Sequence, residues 1–375
     1  MLLKEGHLLH RIKGALLVDY GEPIRIAELT VEEPGPGEVL VEIRASGVCR
    51  TDWHAVTGHL PLPVPLVLGH EGAGIVKDIG SGVQRVKPGD HVVLSWIPNC
   101  GNCRWCILGR PELCDVAITA AVNGTLPSGV PRLFWGDDPI SCFSSTGTLA
   151  DLAVVSELSA IVIPDYLPFD QAALLGCAVQ TGVGAAFRSP LAAGDTVLVI
   201  GAGGVGLNII QGAQIRGAAH IIAVDPSEVS RRLAEQFGAH TTINPLDEDP
   251  LLAILDLTDG LGVDVAFEAV GQGSLIALAF NATRPGGTTV AVGVPTPNES
   301  ITLNAFAFPS QEKTLTGSWY GGSYPLRDVP RLIALWESGQ LQIEPLIQRR
   351  YSLLDCPQAF DDLQAGRGGR SVITW

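Results

Sequence analysis

The sequence predicts an α/β protein of two domains, a small antiparallel β-barrel followed by a doubly wound parallel sheet. Its 375 residues, 46% of them hydrophobic, are too many for one core of usual size, so each domain can bury its own core. Up to residue 94, short strand patterns are divided by turns rich in glycine and proline, which is typical of a small barrel. Residues 201–293 alternate strand and helix patterns, which is typical of a parallel sheet.

The predicted barrel contains a half-buried strand at residues 38–44, where Val39, Val41 and Ile43 alternate with more polar neighbours. This strand leads to residues 49–54, which carry a thiol, a guanidinium, a hydroxyl, a carboxylate and an imidazole within six positions. Such a density of reactive side chains marks a candidate active site. Further strand patterns follow at residues 69–76 and 91–94.

The middle of the chain is less regular. A cysteine-rich loop occupies residues 98–114, and residues 115–147 have no clear periodicity, so we expect an ordered excursion over the surface there. Longer apolar stretches then begin, with a helix predicted at 171–187 and a buried strand at 196–200.

The second domain continues with alternating elements and is followed by a mixed tail. Strands are predicted at 221–224, 264–269 and 289–292, and helices at 227–237 and 274–281. A helix at 329–338 and a strand at 371–375 are expected to return to the first domain. We therefore predict a first domain at 1–178, a second domain at 179–319 and a segment at 320–375 that returns to the first domain.

Composition excludes two kinds of partner. The net charge of −15 argues against nucleic acid and against an anionic membrane surface, because both require clustered lysine and arginine. No apolar run reaches the roughly 18 residues that a membrane span needs, and residues 1–13 are interrupted by charges at Lys4, Glu5, Arg11 and Lys13. We expect a cytoplasmic protein without a secretory signal, acting on a small molecule.

A G-x-G-x-x-G motif lies directly after a predicted strand, at Gly201, Ala202, Gly203, Gly204, Val205 and Gly206. The first glycine allows a tight turn, the second lets the backbone approach a pyrophosphate, and the third permits close helix packing, with the helix N-terminus facing the anion. Asp225 ends the next predicted strand. A carboxylate there can bind both ribose hydroxyls and would repel a 2′-phosphate, which favours NAD over NADP. The alternative for Asp225 is a turn residue ahead of Pro226.

Half of the eight cysteines lie in the short loop, at Cys100, Cys103, Cys106 and Cys114. They are too close together for separate disulfides, and in a cytoplasmic protein such spacing usually binds metal. Four thiolates make a closed tetrahedral zinc site, which would fold the loop but could not bind substrate. An iron–sulfur cluster is the alternative.

A second metal site is indicated by Cys49, His70 and Cys177. A set of two cysteines and one histidine is typical of a catalytic zinc that keeps its fourth position open for water or substrate. From the residues alone, Cys177 has a second interpretation as a buried core thiol in an apolar helix. Cys142 and Cys356 have no partner pattern and are interpreted as structural.

Together these motifs resemble the zinc-dependent medium-chain alcohol dehydrogenases over essentially the whole chain. The resemblance rests on residues 47–52, 69–74, 176–177 and 201–206, on the four-cysteine loop, and on Asp225. It implies a GroES-like β-barrel catalytic domain and a Rossmann domain. It also implies NAD as cofactor and two zinc ions per chain, a catalytic one on Cys49, His70 and Cys177 and a structural one on the loop.

The resemblance also implies roles for side chains near the catalytic zinc. Thr51 would hydrogen-bond the substrate oxygen, and His54 would end a proton relay through the nicotinamide ribose. Asp52 would orient His70, and Glu71 would lie behind the zinc. A plain surface histidine is the alternative for His54.

Further residues match cofactor and substrate contacts in the same family. Arg50 and Arg370 match arginines that clamp the pyrophosphate, although Arg370 could instead be a surface cation, and Thr181 would lie under the nicotinamide. The expected substrate pocket is aromatic and narrow, which suits primary or benzylic alcohols better than bulky secondary ones. Its predicted members are Leu60, Trp96, Phe143, Trp319 and Val294, the last also touching the cofactor.

The predicted activity is hydride transfer between NAD and a primary alcohol/aldehyde pair, including aromatic ones. Zinc would lower the pKa of the alcohol, and its proton would leave through Thr51 and His54. Residues 292–297 and 318–321 resemble the bacterial branch of the family. We expect a homo-oligomer, a dimer rather than a tetramer.

Three alternatives stay open. One is a formaldehyde dehydrogenase acting on a glutathione or mycothiol adduct, although residues 115–119 lack the arginine that glutathione-dependent members carry. Another is an alcohol:acceptor oxidoreductase that holds NAD between turnovers. The third is a non-catalytic nucleotide-binding protein, which would have no use for an open zinc position.

Overall fold

The computed structural model describes residues 2–4 and 7–375, with side chains from residue 9 onwards. The expectation stated for residues 1–13 falls partly outside this range. Within it, every helix is too short or too polar to cross a bilayer.

The first part of the described chain is mainly β-structure with short helices. Its elements are β1 (Leu2–Lys4), β2 (His7–Leu17), β3 (Arg25–Glu32), β4 (Glu38–Val48), α1 (Arg50–Val56), β5 (Leu66–Val67), β6 (Glu71–Ile79), β7 (His91–Leu94), α2 (Arg104–Ile107), α3 (Asp115–Val122), β8 (Leu133–Trp135), β9 (Asp138–Pro139), β10 (Ser141–Cys142), β11 (Leu152–Ser156) and β12 (Ala160–Val162).

The second part alternates helices and strands and then runs into the C-terminal segment. Its elements are α4 (Phe169–Leu175), α5 (Ala178–Arg188), β13 (Thr196–Ile200), α6 (Gly204–Ile215), β14 (His220–Val224), α7 (Glu228–Gln236), β15 (Thr241–Ile243), α8 (Pro250–Leu257), β16 (Val263–Glu268), α9 (Gly273–Ala282), β17 (Thr283–Ala291), α10 (Ala307–Gln311), β18 (Thr314–Gly317), α11 (Pro325–Glu337), β19 (Ile347–Tyr351), α12 (Cys356–Gln364) and β20 (Arg370–Thr374).

The strands form three sheets. Two belong to the barrel, in the orders β10-β5-β2-β3-β8-β9 and β12-β7-β6-β4-β20-β19, with β1 and β11 added to β2 and β4. The third is parallel, in the order β15-β14-β13-β16-β17-β18. The strand order of this sheet reverses between β13 and β16, and a ligand crevice is expected at the carboxyl ends of the strands there. The predicted α/β fold of a barrel and a doubly wound sheet is confirmed.

The C-terminal strand is part of the barrel. β20 pairs antiparallel with β4, from Ser371 opposite Val48 to Thr374 opposite Ala45. This register brings the start of β20 to the end of β4, next to Cys49. The domain boundaries at residues 178 and 319 remain predictions.

The prediction of one helix at 171–187 is wrong. The chain forms α4 and α5, which are separated at Gly176 and Cys177, and Cys177 has φ −145° and ψ −71°. A Cβ atom on Gly176 would lie 2.7 Å from the Leu94 carbonyl oxygen, so the chain packs against β7 at this break. The apolar pattern continues across both helices, which is why periodicity did not reveal the break.

Residues 115–147 are more than the expected excursion over the surface. After α3, β8 pairs with β3 and β10 pairs with β5, so the segment extends one barrel sheet. Leu126, Ile140 and Phe143 are buried in the core beneath. Each of these strands has only two or three residues, so none is long enough to show the alternation of polar and apolar residues that identifies a strand in a sequence.

Candidate active site

Asp52 joins two loops that carry candidate metal ligands. Cys49 lies between the end of β4 and the start of α1, and its backbone N–H donates to Asp52 Oδ2 at 3.2 Å. Asp52 Oδ1 accepts from the Gly69 N–H at 2.9 Å and lies 3.3 Å from His70 Nδ1. The Asp52 side chain is fully buried. It therefore orients the His70 ring and leaves the other ring nitrogen, Nε2, available for a metal.

The structure brings Cys49, His70 and Cys177 together, with Glu71 beside them. One potential ligand atom from each of the four lies within 4.8 Å of all the others, and all four residues are buried. Cys177 reaches the cluster from the break between α4 and α5. The three chain segments that supply the cluster are far apart in sequence and meet where the barrel faces the parallel sheet.

The electrostatics of this cluster fit a bound cation. A hydrogen bond from Cys177 lowers the pKa of the Cys49 thiol well below its ordinary value. Burial raises the pKa of Glu71 to about 7, although the Arg370 guanidinium opposes the shift. Among the described residues, Glu71 Oε1 is buried without a hydrogen-bond partner. The two thiols and the imidazole form a donor set suited to a zinc ion that keeps one position open.

Arg370 links this cluster to the nucleotide loop. Its guanidinium forms a buried ion pair with the Glu71 carboxylate, which fits because Gly47 has no side chain; a Cβ there would lie 2.0 Å from Glu71 Oε2. On its other side, Arg370 Cδ would lie 2.4 Å from a Cβ on Gly204. The residue is only 5% exposed, so it is not the surface cation of the alternative interpretation.

The glycine motif connects β13 to α6 as predicted from the sequence. Gly201 has φ +91°, and a Cβ on Gly206 would lie 1.8 Å from the Gly201 carbonyl oxygen, so both positions require glycine. Asp225 follows β14, and its carboxylate accepts from the Ala202 N–H and the Ser227 N–H, each at 2.8 Å. These bonds hold the carboxylate at the edge of the loop, where a ribose would lie.

The two candidate relay residues lie on α1. Thr51 Oγ1 is 3.6 Å from Cys49 Sγ, and His54 is half-buried one turn further along. Burial, followed by the positive charge of Arg50, lowers the pKa of His54. Arg50 itself is exposed, and its guanidinium lies 3.4 Å from the Leu363 carbonyl oxygen. His54 is therefore predominantly neutral at neutral pH and able to accept a proton.

Aromatic rings surround one side of His70. The Phe143 and Trp96 ring centroids lie 5.2 and 6.5 Å from the His70 ring. Trp319, which is 41% exposed, meets Trp96 edge-on at 5.6 Å. These three predicted pocket residues, called the aromatic wall below, are connected through His70 and Trp96; Phe143 is fully buried, Trp96 is half-buried and Trp319 is exposed.

Three further residues were predicted to contact substrate or cofactor, namely Leu60, Val294 and Thr181. Leu60 packs in the core beside α1, and its N–H donates to the His54 carbonyl oxygen. Val294 follows β17, and its backbone lies against Gly271. Thr181 Oγ1 lies 3.9 Å from Cys177 Sγ.

The four-cysteine loop has the dimensions of a single-ion site. The sulfurs of its four cysteines lie within 4.8 Å of one another. Tetrahedral zinc with Zn–S bonds of about 2.3 Å requires sulfurs about 3.8 Å apart, whereas ligands of a multi-iron cluster stand further apart. The N–H groups of Cys100 and Cys103 also donate to the Cys114 and Cys100 sulfurs, each at 3.3 Å. The donor set therefore fits one zinc ion.

The sequence did not predict two polar residues near the site or the packing of Trp53. Tyr320 donates its hydroxyl hydrogen to the Gly176 carbonyl oxygen at 2.6 Å, and Gln180 Nε2 donates to the Leu175 carbonyl oxygen at 2.7 Å. Gln180 could have been found as a lone amide in an apolar run. Trp53 packs near Phe360, with the ring centroids 6.4 Å apart, so it belongs to the core.

Comparison with known families identifies both parts of the chain. Residues 35–165 match the alcohol dehydrogenase GroES-like domain, and residues 204–338 match the zinc-binding dehydrogenase domain. These matches cover the barrel strands from β4 to β12 and most of the parallel sheet.

Relatives match the chain nearly end to end. It is 38% identical over 367 residues to an NDMA-dependent alcohol dehydrogenase of Amycolatopsis methanolica, covering 97% of this chain and 98% of that protein. It is 36% identical over 370 residues to S-(hydroxymethyl)glutathione dehydrogenase of Saccharomyces cerevisiae, with 96% and 95% covered.

A solved structure gives the same assignment. Benzyl alcohol dehydrogenase from Acinetobacter calcoaceticus superposes with a TM-score of 0.92 at 30% identity, over 97% of this chain and 99% of that one. The fold, the matched domains and the relatives all agree with the family indicated by the sequence motifs. The chain is therefore an alcohol oxidoreductase that belongs to the zinc-dependent medium-chain alcohol dehydrogenase family.

Proposed function

We propose that the protein is an NAD-dependent alcohol dehydrogenase that interconverts primary alcohols, including aromatic ones, and their aldehydes. The observation that carries this proposal is the buried cluster of Cys49, His70 and Cys177. Arg370 connects this cluster to the nucleotide loop. Such a cluster has ligands for a metal and leaves one position for substrate. A small-molecule substrate, a cytoplasmic location and a homodimer are part of the same proposal.

Two zinc ions per chain complete the proposal. One would be held by Cys49, His70 and Cys177, and one by Cys100, Cys103, Cys106 and Cys114. The first would supply a Lewis acid that lowers the pKa of the alcohol. The second has no open position and would hold the loop in its fold.

The proton of the alcohol would leave along α1. Thr51 lies beside Cys49, so its hydroxyl can contact the substrate oxygen, and His54 can receive the proton in its neutral form. Asp52 contributes by fixing the orientation of His70, and Arg370 by neutralising Glu71.

The preference for NAD rests on Asp225. Two backbone N–H groups hold its carboxylate at the nucleotide loop, and a fixed negative charge there would repel the 2′-phosphate of NADP. The guanidinium of the nearby Arg231 is engaged in hydrogen bonds to the carbonyl oxygens of Asp225 and Pro226.

The aromatic wall formed by Trp96, Phe143 and Trp319 supports a primary or benzylic alcohol as substrate. Similarity to a benzyl alcohol dehydrogenase points in the same direction. Flat rings pack well against such a wall, whereas a secondary alcohol must fit substituents on both sides of the reacting carbon.

Similarity to an NDMA-dependent alcohol dehydrogenase supports a second candidate, in which NAD stays bound and an external acceptor reoxidises it. Similarity to S-(hydroxymethyl)glutathione dehydrogenase supports a third, in which formaldehyde reacts as its thiol adduct. The candidates differ in what must be added to the assay.

One experiment separates the three candidates. The purified protein is examined spectroscopically for bound nicotinamide and assayed with benzyl alcohol and cyclohexanol, with NAD or NDMA, and with formaldehyde plus glutathione or mycothiol. We expect turnover of benzyl alcohol with added NAD, absent in Cys177→Ser, and a lower kcat/KM for cyclohexanol.

Each other outcome has a distinct meaning. Turnover with NDMA alone, on protein that carries nicotinamide, would replace the proposal with the acceptor-dependent candidate. A requirement for thiol would replace it with the adduct candidate. Equal kcat/KM values for the two alcohols would contradict the role given to the aromatic wall.

A further inference from the structure

The break between α4 and α5 depends on two buried side chains. A helix end leaves carbonyl oxygens without partners, and buried ones must be satisfied from elsewhere. At this break, Gln180 Nε2 donates to the Leu175 carbonyl oxygen at 2.7 Å, and the Tyr320 hydroxyl donates to the Gly176 carbonyl oxygen at 2.6 Å. Gln180 is 1% exposed and Tyr320 is 2% exposed. The residue that follows Gly176 is Cys177, a candidate zinc ligand.

The Tyr320 hydroxyl lies at the centre of a buried hydrogen-bond network. Besides Gly176, it contacts Gln180 Nε2 at 3.1 Å and Ser95 Oγ at 3.2 Å. Its single hydrogen is given to Gly176, so Gln180 and Ser95 must be the donors in these two bonds. Ser95 Oγ in turn accepts from the Ile97 N–H at 3.2 Å. The network ties the chain after β7 to the α4–α5 break.

The backbone at Tyr320 has a conformation that local preference opposes. Tyr320 has φ +51°, in the left-handed region, and Gly321 and Gly322 follow with φ +65° and +61°. A Cβ on Gly321 would lie 2.3 Å from the Gln180 carbonyl oxygen, so this turn is pressed against α5. Such a conformation is uncommon in residues other than glycine and persists where the surrounding structure enforces it.

We propose that Tyr320 is a positioning residue for the catalytic metal, acting through Gly176 on Cys177. This inference rests on the proposed function, in which Cys177 binds that metal. The hydroxyl fixes the peptide that precedes Cys177, and the strained turn fixes the hydroxyl. Trp319 directly precedes Tyr320, so the same short segment positions the metal ligand Cys177 and supplies a residue of the aromatic wall.

Removing the hydroxyl alone tests this proposal. In Tyr320→Phe, the ring can keep its packing against Trp96, whose centroid is 4.8 Å away, but the Gly176 carbonyl oxygen stays buried without a donor. The break can then relax, and the Cys177 sulfur moves with it. Loss of a group that orients a metal ligand typically costs about 10-fold to 100-fold in metal affinity.

The measurement is the rate at which a chelator removes zinc from the fully loaded protein, below its unfolding temperature. With two zinc ions per chain, release should have two kinetic phases, one for the catalytic site and one for the structural site. The phase that is missing in Cys177→Ser, which should lose one zinc equivalent, is the catalytic one. We expect that phase to be about 10-fold faster in Tyr320→Phe, with the structural phase unchanged. In cobalt-substituted protein, the thiolate-to-metal absorption should shift as well.

Tyr20→Phe is the matched control, because its hydroxyl also donates to a main-chain carbonyl, that of Leu62, away from the metal ligands. It should release zinc like the wild type. If Tyr320→Phe does not fold, Gln180→Met removes the neighbouring donor and should act in the same direction.

Two results would overturn the argument at different levels. Unchanged zinc release and an unchanged cobalt spectrum in Tyr320→Phe, even with a lower Tm, would show that Tyr320 is only structural. Retention of both zinc equivalents in Cys177→Ser would instead contradict the proposed function itself.

Discussion

At the residue scale, Asp52 and Arg370 do more to shape the site than their distance from the substrate suggests. Asp52 accepts hydrogen bonds from Cys49 and Gly69 and faces His70, so one carboxylate holds two ligand-bearing loops. Arg370 neutralises Glu71, a second buried carboxylate in this cluster. A buried charge without such a partner would cost several kcal/mol. Both residues could be named from the sequence only through the family resemblance, because spacing alone does not show which residues are partners.

His54 provides a prediction with a defined pH dependence. Burial, then Arg50, lowers its pKa below 6.5, so the folded state binds fewer protons than the unfolded state in the window from that lowered pKa up to 6.5. Stability therefore rises with pH through this window. If His54 accepts the substrate proton, kcat should fall as pH drops through the same range.

His54→Gln should lower kcat at neutral pH on the order of 10-fold, since a general base typically contributes at least that much. It should also flatten the acidic limb of the pH profile, as steady-state kinetics between pH 5 and 8 would reveal. His59→Gln, whose ring centroid is 6.0 Å from that of His54, is the control: it should keep the acidic limb, moved to higher pH because the charge of His59 also lowers the pKa of His54. Unchanged activity of His54→Gln at neutral pH would rule out its relay role.

At the element scale, the features that could be predicted from the sequence are those defined by the spacing of residues within one short segment. The glycine motif between β13 and α6 and the four-cysteine loop both depend on residues within one short segment. The break at Cys177 could not be predicted, because its cause is the approach of β7 and the donors Gln180 and Tyr320. The strands within residues 115–147 were missed because each depends on an edge supplied by a distant strand.

The four-cysteine loop gives a prediction for metal removal. Its folding should depend on zinc, because four half-exposed or buried cysteines and a four-residue helix, α2, offer little apolar surface to bury. Cys103→Ser should lose one zinc equivalent and become sensitive to trypsin at Arg104, which metal analysis and limited proteolysis would detect.

Cys142→Ser, which changes a cysteine outside both clusters, is the control and should keep both metals. If Cys103→Ser retains its full zinc content and stays resistant to trypsin, the loop does not bind zinc as described.

At the scale of the whole molecule, the site exists because segments that are distant in the chain meet. Cys49 and His70 come from the barrel, Cys177 from the chain that enters the parallel sheet, and Arg370 from the strand that returns to the barrel. The sequence indicates these groups separately, but only the three-dimensional arrangement shows that their atoms converge. It also shows that Arg370 reaches both Glu71 and the nucleotide loop.

The proposed activity depends above all on a metal ion held by Cys49, His70 and Cys177. The most direct test is anomalous diffraction at the zinc edge from crystals of the purified protein. We predict two peaks per chain, one inside the four-cysteine loop and one between Cys49 Sγ, His70 Nε2 and Cys177 Sγ. A map with no peak between those three atoms, in crystals that show the loop peak, would show that these residues do not form a metal site.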